Sequence, residues 1–572
     1  APVREDAARA YYWPYESREN LHVLLNTFAN RVVWAEGTGS GPATAKGVEV
    51  TLKTGAISTI GATKEVIVSA GALKTPAILE LSGIGNPDIL HKHNISVKVD
   101  LPTVGENLQD QTNSHMDASS NRTLSGGKPV SYPNIYDILG DEAETVGNKL
   151  RANLKKYAEE SAKANGNVMK AADLERLFEV QYDLIFKKNT PVAEILNYAA
   201  DKTLSTEFWS LLPFARGNVH IASANPKQFP TINPNYFMFE WDVESFAAVG
   251  QYIRRSYETK PLSTLVKEAT PGLKNVPQDA SVEQWKEWVF DGNYRSNFHP
   301  VGTAAMMPRA MGGVVDNRLK VYGTSNVRVV DASALPYQVC GHLVSTLYAV
   351  AERAAELIKA DAAAVGTSSS YDYIVIGGGT SGLTVANRLS EDPNVNVLII
   401  EAGDSVLNNP NVTTVDGYGL AFGTEIDWQY QSVNQTYAGN VPQVLRAGKA
   451  LAGTSAINGM AYTRAEDVQI DAWETIGNEG WTWKNLFPYY LKSENFTKPT
   501  KTQLELGASY NLECNGENGP LNVAFTKLES NSLTTYLNRT FQAMGLPWSK
   551  DLNCGKMRGF NIFPATINYE EY

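Results

Sequence analysis

Three glycines with the spacing G-x-G-x-x-G, Gly377, Gly379 and Gly382, follow a short apolar segment and open one with helical spacing. A second apolar run, residues 395–400, ends at Glu401. In nucleotide-binding units the first glycine permits a tight turn, the second lets backbone approach a pyrophosphate, and the third lets helix and strand pack closely. An acidic residue about 20 positions further on accepts hydrogen bonds from a ribose. The pattern predicts a dinucleotide with an unphosphorylated ribose, FAD or NAD in place of NADP.

Two of the seven histidines stand in unusual sequence contexts. His299 lies in the turn-like segment NFHPVG, and His342 follows a glycine and opens a strongly periodic segment. Oxidation of an alcohol needs a base for the hydroxyl proton while the carbon gives hydride to a cofactor, and histidine suits this at neutral pH. A lone histidine is usually structural, so context alone does not assign these roles. His91 and His93 have no evident third ligand, and we expect no metal site.

The elements that would position these residues alternate between strand-like and helical patterns, which predicts an α/β fold. A helix is expected at residues 75–82, where Pro76 stands at its start and glycines follow its end. Residues 132–179 are polar and helical, and residues 343–358 form a periodic helix. The segment 361–370, DAAAVGTSSS, has no periodicity and is predicted to be a linker. The strand-like runs are residues 20–34, 47–52, 65–70, 371–376 and 395–400.

Composition limits the partners. The 572 residues carry a formal net charge of -11 and no Lys/Arg-rich run, so nucleic acid and anionic membrane surfaces are not expected to bind. The uncharged stretch 332–351 contains proline, glutamine and histidine, and is interpreted as a buried loop and helix, not a membrane span. A small, neutral substrate is the favoured class.

Several sequence features indicate an oxidising, extracytoplasmic setting. Cys514 and Cys554 lie in loop-like segments, and a disulfide between them would contribute about 4 kcal/mol in the chain-entropy model. Two buried free thiols are the alternative. Cys340 is expected to be buried and unpaired. Six N-x-S/T sequons favour secretion and glycosylation, at Asn94, Asn121, Asn411, Asn434, Asn495 and Asn538.

Several further motifs carry a family resemblance. They are RAGKALAGTSAINGMAYTR (446–464), GALKTPAILELSGIG (71–85), LPTVGENLQDQ (101–111), NFHPVGTAAM (297–306) and GHLVSTLYAVAERAAELI (341–358). Together with the glycine pattern, the sequence resembles the glucose-methanol-choline (GMC) flavoprotein oxidoreductases, and within them the fungal FAD-dependent glucose dehydrogenases. The resemblance covers nearly the whole chain.

The resemblance implies two interleaved domains. A Rossmann-like FAD-binding domain would comprise residues 3–112, 305–360 and 371–470, and a substrate-binding domain with an antiparallel sheet and helices would comprise 113–304 and 471–572. The motifs, however, stand in a different order from the family's. A circular permutation would restore that order, with 361–370 joining the family's original ends and new ends at Val3 and Tyr572.

The resemblance also implies a reaction: FAD-dependent oxidation of the anomeric hydroxyl of β-D-glucose to glucono-1,5-lactone. His299 would be the general base, His342 its partner, and quinones or dyes the electron acceptors. A glucose oxidase or another alcohol oxidase that uses oxygen is the first alternative. A permuted scaffold or sensor module with incidental catalysis is the second. A nicotinamide dehydrogenase is disfavoured by the family motifs, and a hydrolase by the lack of a G-x-S-x-G sequence. The sequence assigns no oligomeric state.

Site residues follow from the matched positions. The substrate residues would be Glu207, Arg295, Asn297 and Tyr418, although Glu207 and Arg295 could instead form a structural salt bridge. The FAD residues would be Gly377, Gly379, Thr380, Ser381, Gly382, Glu401, Ala402, Arg446, Gly448, Asn458, Gly459, Met460, Ala461, Ala29, Asp331 and Ala332.

Two further points concern loops. Ala452 stands where the family usually has a glycine, and if the backbone there has positive φ, alanine costs about 1 kcal/mol. Cys514 and Cys554 match the approximate positions of a disulfide in related glucose oxidases.

Overall fold

Among residues 2–37, 41–362, 371–528 and 532–569, which the computed structural model describes, two seven-stranded sheets form the framework. The first sheet is mixed, and its parallel part is built on the long strand Ile57–Val68. That strand continues at its other end into an antiparallel meander. The strands run in the order Leu21–Leu24, Val397–Ile400, Tyr371–Ile376, Ile57–Val68, Ala45–Thr51, Phe28–Trp34, with Val327–Val329 paired to Ile57–Val68.

The parallel part of this sheet is buried on both faces, which explains its continuous apolar sequence. All four residues of Val397–Ile400 are buried, as are the last four of Tyr371–Ile376. The register aligns Ile376 with both Ile400 and Val68. Three chain segments therefore leave the sheet at the same edge, where ligands of α/β sheets bind.

The second sheet pairs its strands antiparallel and presents two different faces. Ile195 and Phe208 are buried, and Phe208 packs on Phe246 of the helix Glu240–Glu258. The alternate positions, such as Glu194 and Trp209, point to the opposite face because side chains in a strand alternate. The order is Val266–Thr270, Thr112–Ser120, Thr203–Ser210, Ala193–Ala200, Pro129–Tyr132, Gly559–Ile562, with Arg295–Ser296 paired to Thr112–Ser120.

Shorter strand pairs complete the β structure of the described residues: Val3–Arg4 with Ile567–Asn568, Ile84–Gly85 with Val99–Asp100, Asn218–His220 with Thr231–Asn233, Tyr430–Gln431 with Val444–Leu445, and Glu494–Phe496 with Leu521–Val523. The α-helices of the described residues are Ala7–Tyr11, Thr75–Leu81, Pro87–Lys92, Ile135–Leu139, Ala143–Ala164, Ala171–Phe186, Glu240–Glu258, Val282–Phe290, Leu343–Asp361, Thr380–Leu389, Pro410–Thr413, Asp467–Thr475, Trp483–Ser493, Lys501–Glu505 and Ser532–Ala543. None of these helices is both long and apolar enough to span a bilayer.

The α/β class predicted from the sequence is confirmed. The disulfide between Cys514 and Cys554 is present, and Cys340 is buried and free. None of the six sequon asparagines is buried. The first sheet is drawn wholly from the predicted FAD-binding segments, whereas the second is drawn almost wholly from the predicted substrate-binding segments.

The predicted linker is wrong at its first residue. Asp361 ends the helix Leu343–Asp361 and forms ion pairs with Arg318, Lys320 and Arg328. It therefore belongs to the packed structure, because three cations hold its carboxylate. Residues 363–370 lie outside the described residues.

Candidate active site

A cavity of about 500 Å³ is lined by residues from both sheets. Of the residues predicted from the sequence to bind cofactor, bind substrate or catalyse, all except Gly382 line it. The predicted cofactor residues and the predicted substrate and catalytic residues, which are far apart in sequence, therefore line the same cavity.

The glycine-rich turn shows why its three glycines differ. Gly377 has φ of 107°, and a Cβ added there would lie 2.4 Å from the carbonyl oxygen of Ser69. A Cβ on Gly382 would lie 2.0 Å from the carbonyl oxygen of Gly377, so this glycine serves the packing of helix on strand. At Gly379, by contrast, the nearest atom to an added Cβ is 3.7 Å away and the residue faces the cavity. This bare backbone at a helix N-terminus fits a pyrophosphate.

Glu401 is buried beside this turn and is already held by backbone donors. Its Oε2 accepts from the Gly378 N–H at 2.8 Å, and its Oε1 accepts from the Gly403 N–H at 2.7 Å. Burial raises the pKa of Glu401 to about 7. Each carboxylate oxygen keeps a further lone pair, which fits hydrogen bonds from ribose hydroxyls.

The loop after Leu451 packs against the glycine-rich turn. The Ala452 N–H donates to the Gly378 carbonyl oxygen at 2.8 Å, and the next residue, Gly453, lies against Gly379. Ala452 has φ of 102° and is fully buried. The conditional expectation of strain at this alanine therefore applies, because the backbone is left-handed.

Two of the predicted cofactor residues are also engaged within the protein. Asp331 accepts from the Gly71 N–H and from the Thr75 and Ser333 hydroxyls, and burial raises its pKa. Arg446 pairs with the buried carboxylate of Asp427. The Asp331 side chain therefore holds together the loops that line the cavity.

His299 is held by amides. Gln111 Nε2 donates to the carbonyl oxygen of Leu211, which directs its Oε1 to His299 Nδ1 at 2.8 Å. Nδ1 also lies 3.0 Å from Asn297 Nδ2. The shorter contact is to the Gln111 oxygen, which only accepts, and the tautomer with hydrogen on Nδ1 satisfies that contact and keeps a lone pair on Nε2. Burial lowers the pKa of His299 to about 3, with the charges of His342 and Arg295 acting in the same direction. The ring is therefore neutral at physiological pH.

His342 lies opposite, with a carboxylate behind it. The ring centroids of His299 and His342 are 5.6 Å apart and the rings are nearly perpendicular. His342 Nε2 lies 2.9 Å from Glu194 Oε1, and Glu194 is completely buried. A carboxylate at this distance stabilises positive charge on the ring. The two rings therefore lie in different polar environments, with amides at His299 and a carboxylate at His342.

The predicted substrate residues form one polar wall. Arg295 and Glu207 form a salt bridge of 3.1 Å, and both line the cavity, so the two roles foreseen from the sequence coexist. Asn297 accepts from Asn113 Nδ2 at 3.0 Å, which turns its own amide group towards His299. Tyr418 packs edge-on against Phe422 at the same cavity.

Sequence reasoning did not single out three residues that hold the histidines. Gln111 and Asp110 lie in the motif LPTVGENLQDQ, so a signal existed for them. Asp110 accepts from the His299 N–H at 2.9 Å and from the Tyr236 and Ser296 hydroxyls. Glu194 lies in an unremarked strand, and its partnership with His342 spans 148 residues. No local pattern could have indicated it.

Two family models described as GMC oxidoreductase match the chain. One matches residues 213–351, and the other matches two segments, residues 2–113 and 371–569. Together the matched residues include the glycine-rich turn, His299, His342 and the loop after Leu451. The chain belongs to the GMC oxidoreductase family.

Related proteins are similar over part of their length. A glucose oxidase-like protein, fsoC, from Humicola fuscoatra is 44% identical over 62% of this chain and 60% of the relative. A glucose oxidase from Penicillium chrysogenum is 36% identical over 63% of this chain and 59% of the relative. Among solved structures, a fungal aryl-alcohol oxidase has a TM-score of 0.54 and 27% identity, covering 61% of this chain and 62% of that one. The chain thus matches about 60% of the length of these curated relatives.

The cofactor of this GMC oxidoreductase is FAD. The bare backbone at Gly379, the carboxylate of Glu401 and the loop 453–461 line one cavity, where they would suit its pyrophosphate, its ribose and its ring system respectively. Within the described residues, no group of three or more His, Cys, Asp or Glu side chains could hold a metal ion.

Proposed function

We propose that the protein oxidises the anomeric hydroxyl of β-D-glucose to glucono-1,5-lactone and passes the electrons to quinone or dye acceptors. The observation that carries this proposal is the pair of histidines, 5.6 Å apart, on a cavity shared with the dinucleotide-binding turn. The polar wall beside them suits a neutral polyol, because Glu207, Arg295 and Asn297 offer both donors and acceptors.

In this mechanism His299 is the general base. With hydrogen on Nδ1 donated to the Gln111 amide oxygen, the lone pair of Nε2 takes the hydroxyl proton. Bound FAD supplies an acceptor for the hydride that leaves the same carbon. After His299 takes the proton, its ring carries a positive charge. The Gln111 amide oxygen keeps this ring in its orientation.

His342 binds the reacting oxygen. Its ring lies on the other side of the pocket from His299, and the Glu194 carboxylate stabilises positive charge on it. Negative charge that develops on the oxygen during proton removal is therefore met by a preorganised partner. Arg295 and Glu207 hold each other, so the sugar meets a fixed polar surface.

The domain division foreseen from the sequence accompanies this proposal. The segments 3–112, 305–360 and 371–470 would carry FAD, and 113–304 with 471–572 would carry the substrate. We also propose secretion as a fungal glycoprotein, which the disulfide and the six sequon asparagines, none of them buried, support.

Oxygen as the acceptor is the second candidate, because relatives of this chain are named glucose oxidase or glucose oxidase-like. The geometry of the histidines serves both branches equally. Turnover with benzoquinone compared with turnover in air separates them: fast quinone reduction with little peroxide is expected, and comparable rates would assign the oxidase branch.

The substrate is tested on the FAD-loaded protein without oxygen. Addition of β-D-glucose should bleach the flavin absorbance, whereas NAD⁺ should have no effect on turnover. Xylose and an aryl alcohol serve as matched comparisons. Bleaching by the aryl alcohol but not by glucose would overturn the sugar assignment while leaving the flavoenzyme assignment intact.

A further inference from the structure

Arg4 is a buried cation behind the loop that lines the cofactor cavity. Its relative exposure is 1%. Nε donates to the Val412 carbonyl oxygen at 2.9 Å, and the two hydrogens of Nη1 are shared among Ser455 O at 3.2 Å, Asn458 O at 2.8 Å and Asn458 Oδ1 at 2.7 Å. Three of these four acceptors belong to the loop that continues into Gly459 and Ala461 at the cavity.

All of these acceptors are uncharged. Within the described part of the chain no carboxylate lies within ion-pair distance of Arg4. The nearby carboxylate of Asp6 is engaged with Arg9 at 2.6 Å and with two helix N–H groups. Keeping an unpaired guanidinium out of water is costly. Burial lowers the pKa of Arg4 to about 10, which still leaves it charged at neutral pH.

The contact with Arg4 decides the orientation of the Asn458 side-chain amide. A guanidinium only donates, so the oxygen of the Asn458 amide must point at Arg4. The same oxygen accepts from the Met460 N–H at 3.0 Å. Both contacts are made by Oδ1, so neither of them uses the amide nitrogen of Asn458, a residue that lines the cavity.

The neighbouring segment fixes the same loop from a second point. The Ala7 N–H donates to the Ser455 hydroxyl at 2.9 Å, and that hydroxyl donates to the Ala452 carbonyl oxygen at 2.7 Å. The charge of Arg4 also acts on Tyr418, which lines the substrate half of the cavity. Arg4 is thus close enough to influence groups inside the cavity.

We propose that Arg4 is a positioning residue for the flavin: it orients the Asn458 amide as a donor to FAD and places a buried positive charge behind the loop, so that negative charge on the reduced cofactor is stabilised. It acts through Asn458 and the loop, and does not touch the reacting atoms. The inference concerns the cofactor alone and is independent of the choice between glucose and other alcohols.

The test is the midpoint potential of bound FAD, measured by dye equilibration, together with FAD retention on dilution. Arg4→Met, which keeps the length and removes the charge, should shift the potential to more negative values and weaken FAD retention by about ten- to hundredfold, the range for losing a charged hydrogen bond. Arg4→Lys should keep most of the potential. An unchanged potential in FAD-loaded Arg4→Met would overturn the proposal.

Arg216 provides a matched control. It too is buried with only uncharged partners, including the Asn107 and Gln181 amide oxygens, and burial lowers its pKa to about 10. It does not line the cavity. Arg216→Met should lower the melting temperature as Arg4→Met does, yet leave the potential unchanged. An equal shift in both variants would show a general effect of unfolding and would overturn the assignment.

A second variant tests the same idea if Arg4→Met does not fold. Asn458→Asp preserves the shape and the acceptor towards Arg4, but removes the donor and neutralises the buried charge. It should also shift the potential to more negative values. A wild-type potential in Asn458→Asp would contradict the proposed route.

Discussion

The region around His299 and the region around His342 face each other across one pocket, yet they hold their imidazoles by different means. On the His299 side the contacts to the ring are uncharged: Gln111 and Asn297 amides lie at Nδ1. On the His342 side the buried carboxylate of Glu194 lies at Nε2. The first arrangement holds the ring with uncharged amides, whereas the second stabilises positive charge.

The difference matches the two roles that the proposed alcohol oxidation requires. A base must be neutral before it takes a proton, so a nearby carboxylate would favour the wrong protonation state on His299. A group that holds developing negative charge gains from a carboxylate behind it. The carboxylate of Asp110, which lies near His299, is accordingly bonded to the backbone N–H and not to the ring.

The largest effect is expected from removing either ring. His299→Ala should slow flavin reduction by glucose about a hundred- to ten-thousandfold, because proton removal loses its base. His342→Ala should also slow reduction, and the double variant should lose much less than the product, since both rings serve one proton transfer. Stopped-flow absorbance measures the rate, and the flavin spectrum before mixing controls for cofactor loss. If flavin reduction in His299→Ala proceeds at nearly the wild-type rate, His299 is not the base and the proposed difference in role between the two histidines is wrong.

The next largest effect on the rate of flavin reduction is expected from neutralising the Glu194 carboxylate beside His342. Glu194→Gln keeps the shape and removes the charge, and the rate of reduction should fall about ten- to hundredfold, the worth of one charged hydrogen bond. Glu268→Gln is the control, because Glu268 lies on the same sheet as Glu194, is paired with Arg254 of the helix Glu240–Glu258 and is outside the cavity lining. If Glu194→Gln reduces FAD at the wild-type rate, the charge behind His342 has no catalytic role.

The backbone support on the His299 side should appear as a pH effect. Burial raises the pKa of Asp110 to about 6. Above this pH the carboxylate accepts from the His299 N–H, and below it protonation removes acceptor capacity, so the reduction rate should fall as pH drops through about 6. The pKa of His299 itself is lowered to about 3 and cannot cause this decline.

Asp110→Asn tests the assignment of that decline. The variant should be about tenfold slower at pH 8, where one hydrogen bond to a charged acceptor is weakened. Its rate should then change little between pH 7 and pH 5. Tyr236→Phe, which removes one donor to Asp110 but keeps the carboxylate, should retain the decline. A pH profile identical to that of the wild type would show that another group titrates.

The smallest effect is expected in the loop that packs against the glycine-rich turn. Ala452→Gly should stabilise the protein by about 1 kcal/mol, because glycine adopts φ of 102° without strain. Ala456→Gly in the same loop is the matched control and should destabilise by about 0.5–1 kcal/mol, since no positive φ is relieved there. Chemical denaturation of the FAD-loaded protein measures both. Equal destabilisation by the two changes would mean that Ala452 carries no strain.

The permuted order of the chain stays a prediction. Val3 pairs with Asn568, so the two ends of the described chain lie side by side, and one family model matches in two separated segments. Cleavage between Gly366 and Ser370 should leave FAD binding intact if that segment only joins packed parts. Loss of FAD on cleavage would contradict this.

The sequence by itself determined the elements whose cause is local. Continuous apolar runs indicated the parallel strands, Pro76 marked the first turn of the helix Thr75–Leu81, and three glycines at fixed spacing indicated the dinucleotide turn. Each of these depends on backbone freedom or on burial over a few residues, which is why residue types and spacing were enough. The resemblance to the family motifs then predicted both histidines and the residues of the polar wall.

Only the tertiary structure decided which groups act on those residues. Glu194 reaches His342 across 148 positions, and Arg4 reaches Asn458 across 454. That Glu207 and Arg295 both pair with each other and line the cavity was likewise open in the sequence. Such contacts depend on strand register and on how two sheets meet at one cavity. A shift of a single residue in register would turn Glu194 to the opposite face of its strand, and no local residue pattern records that choice.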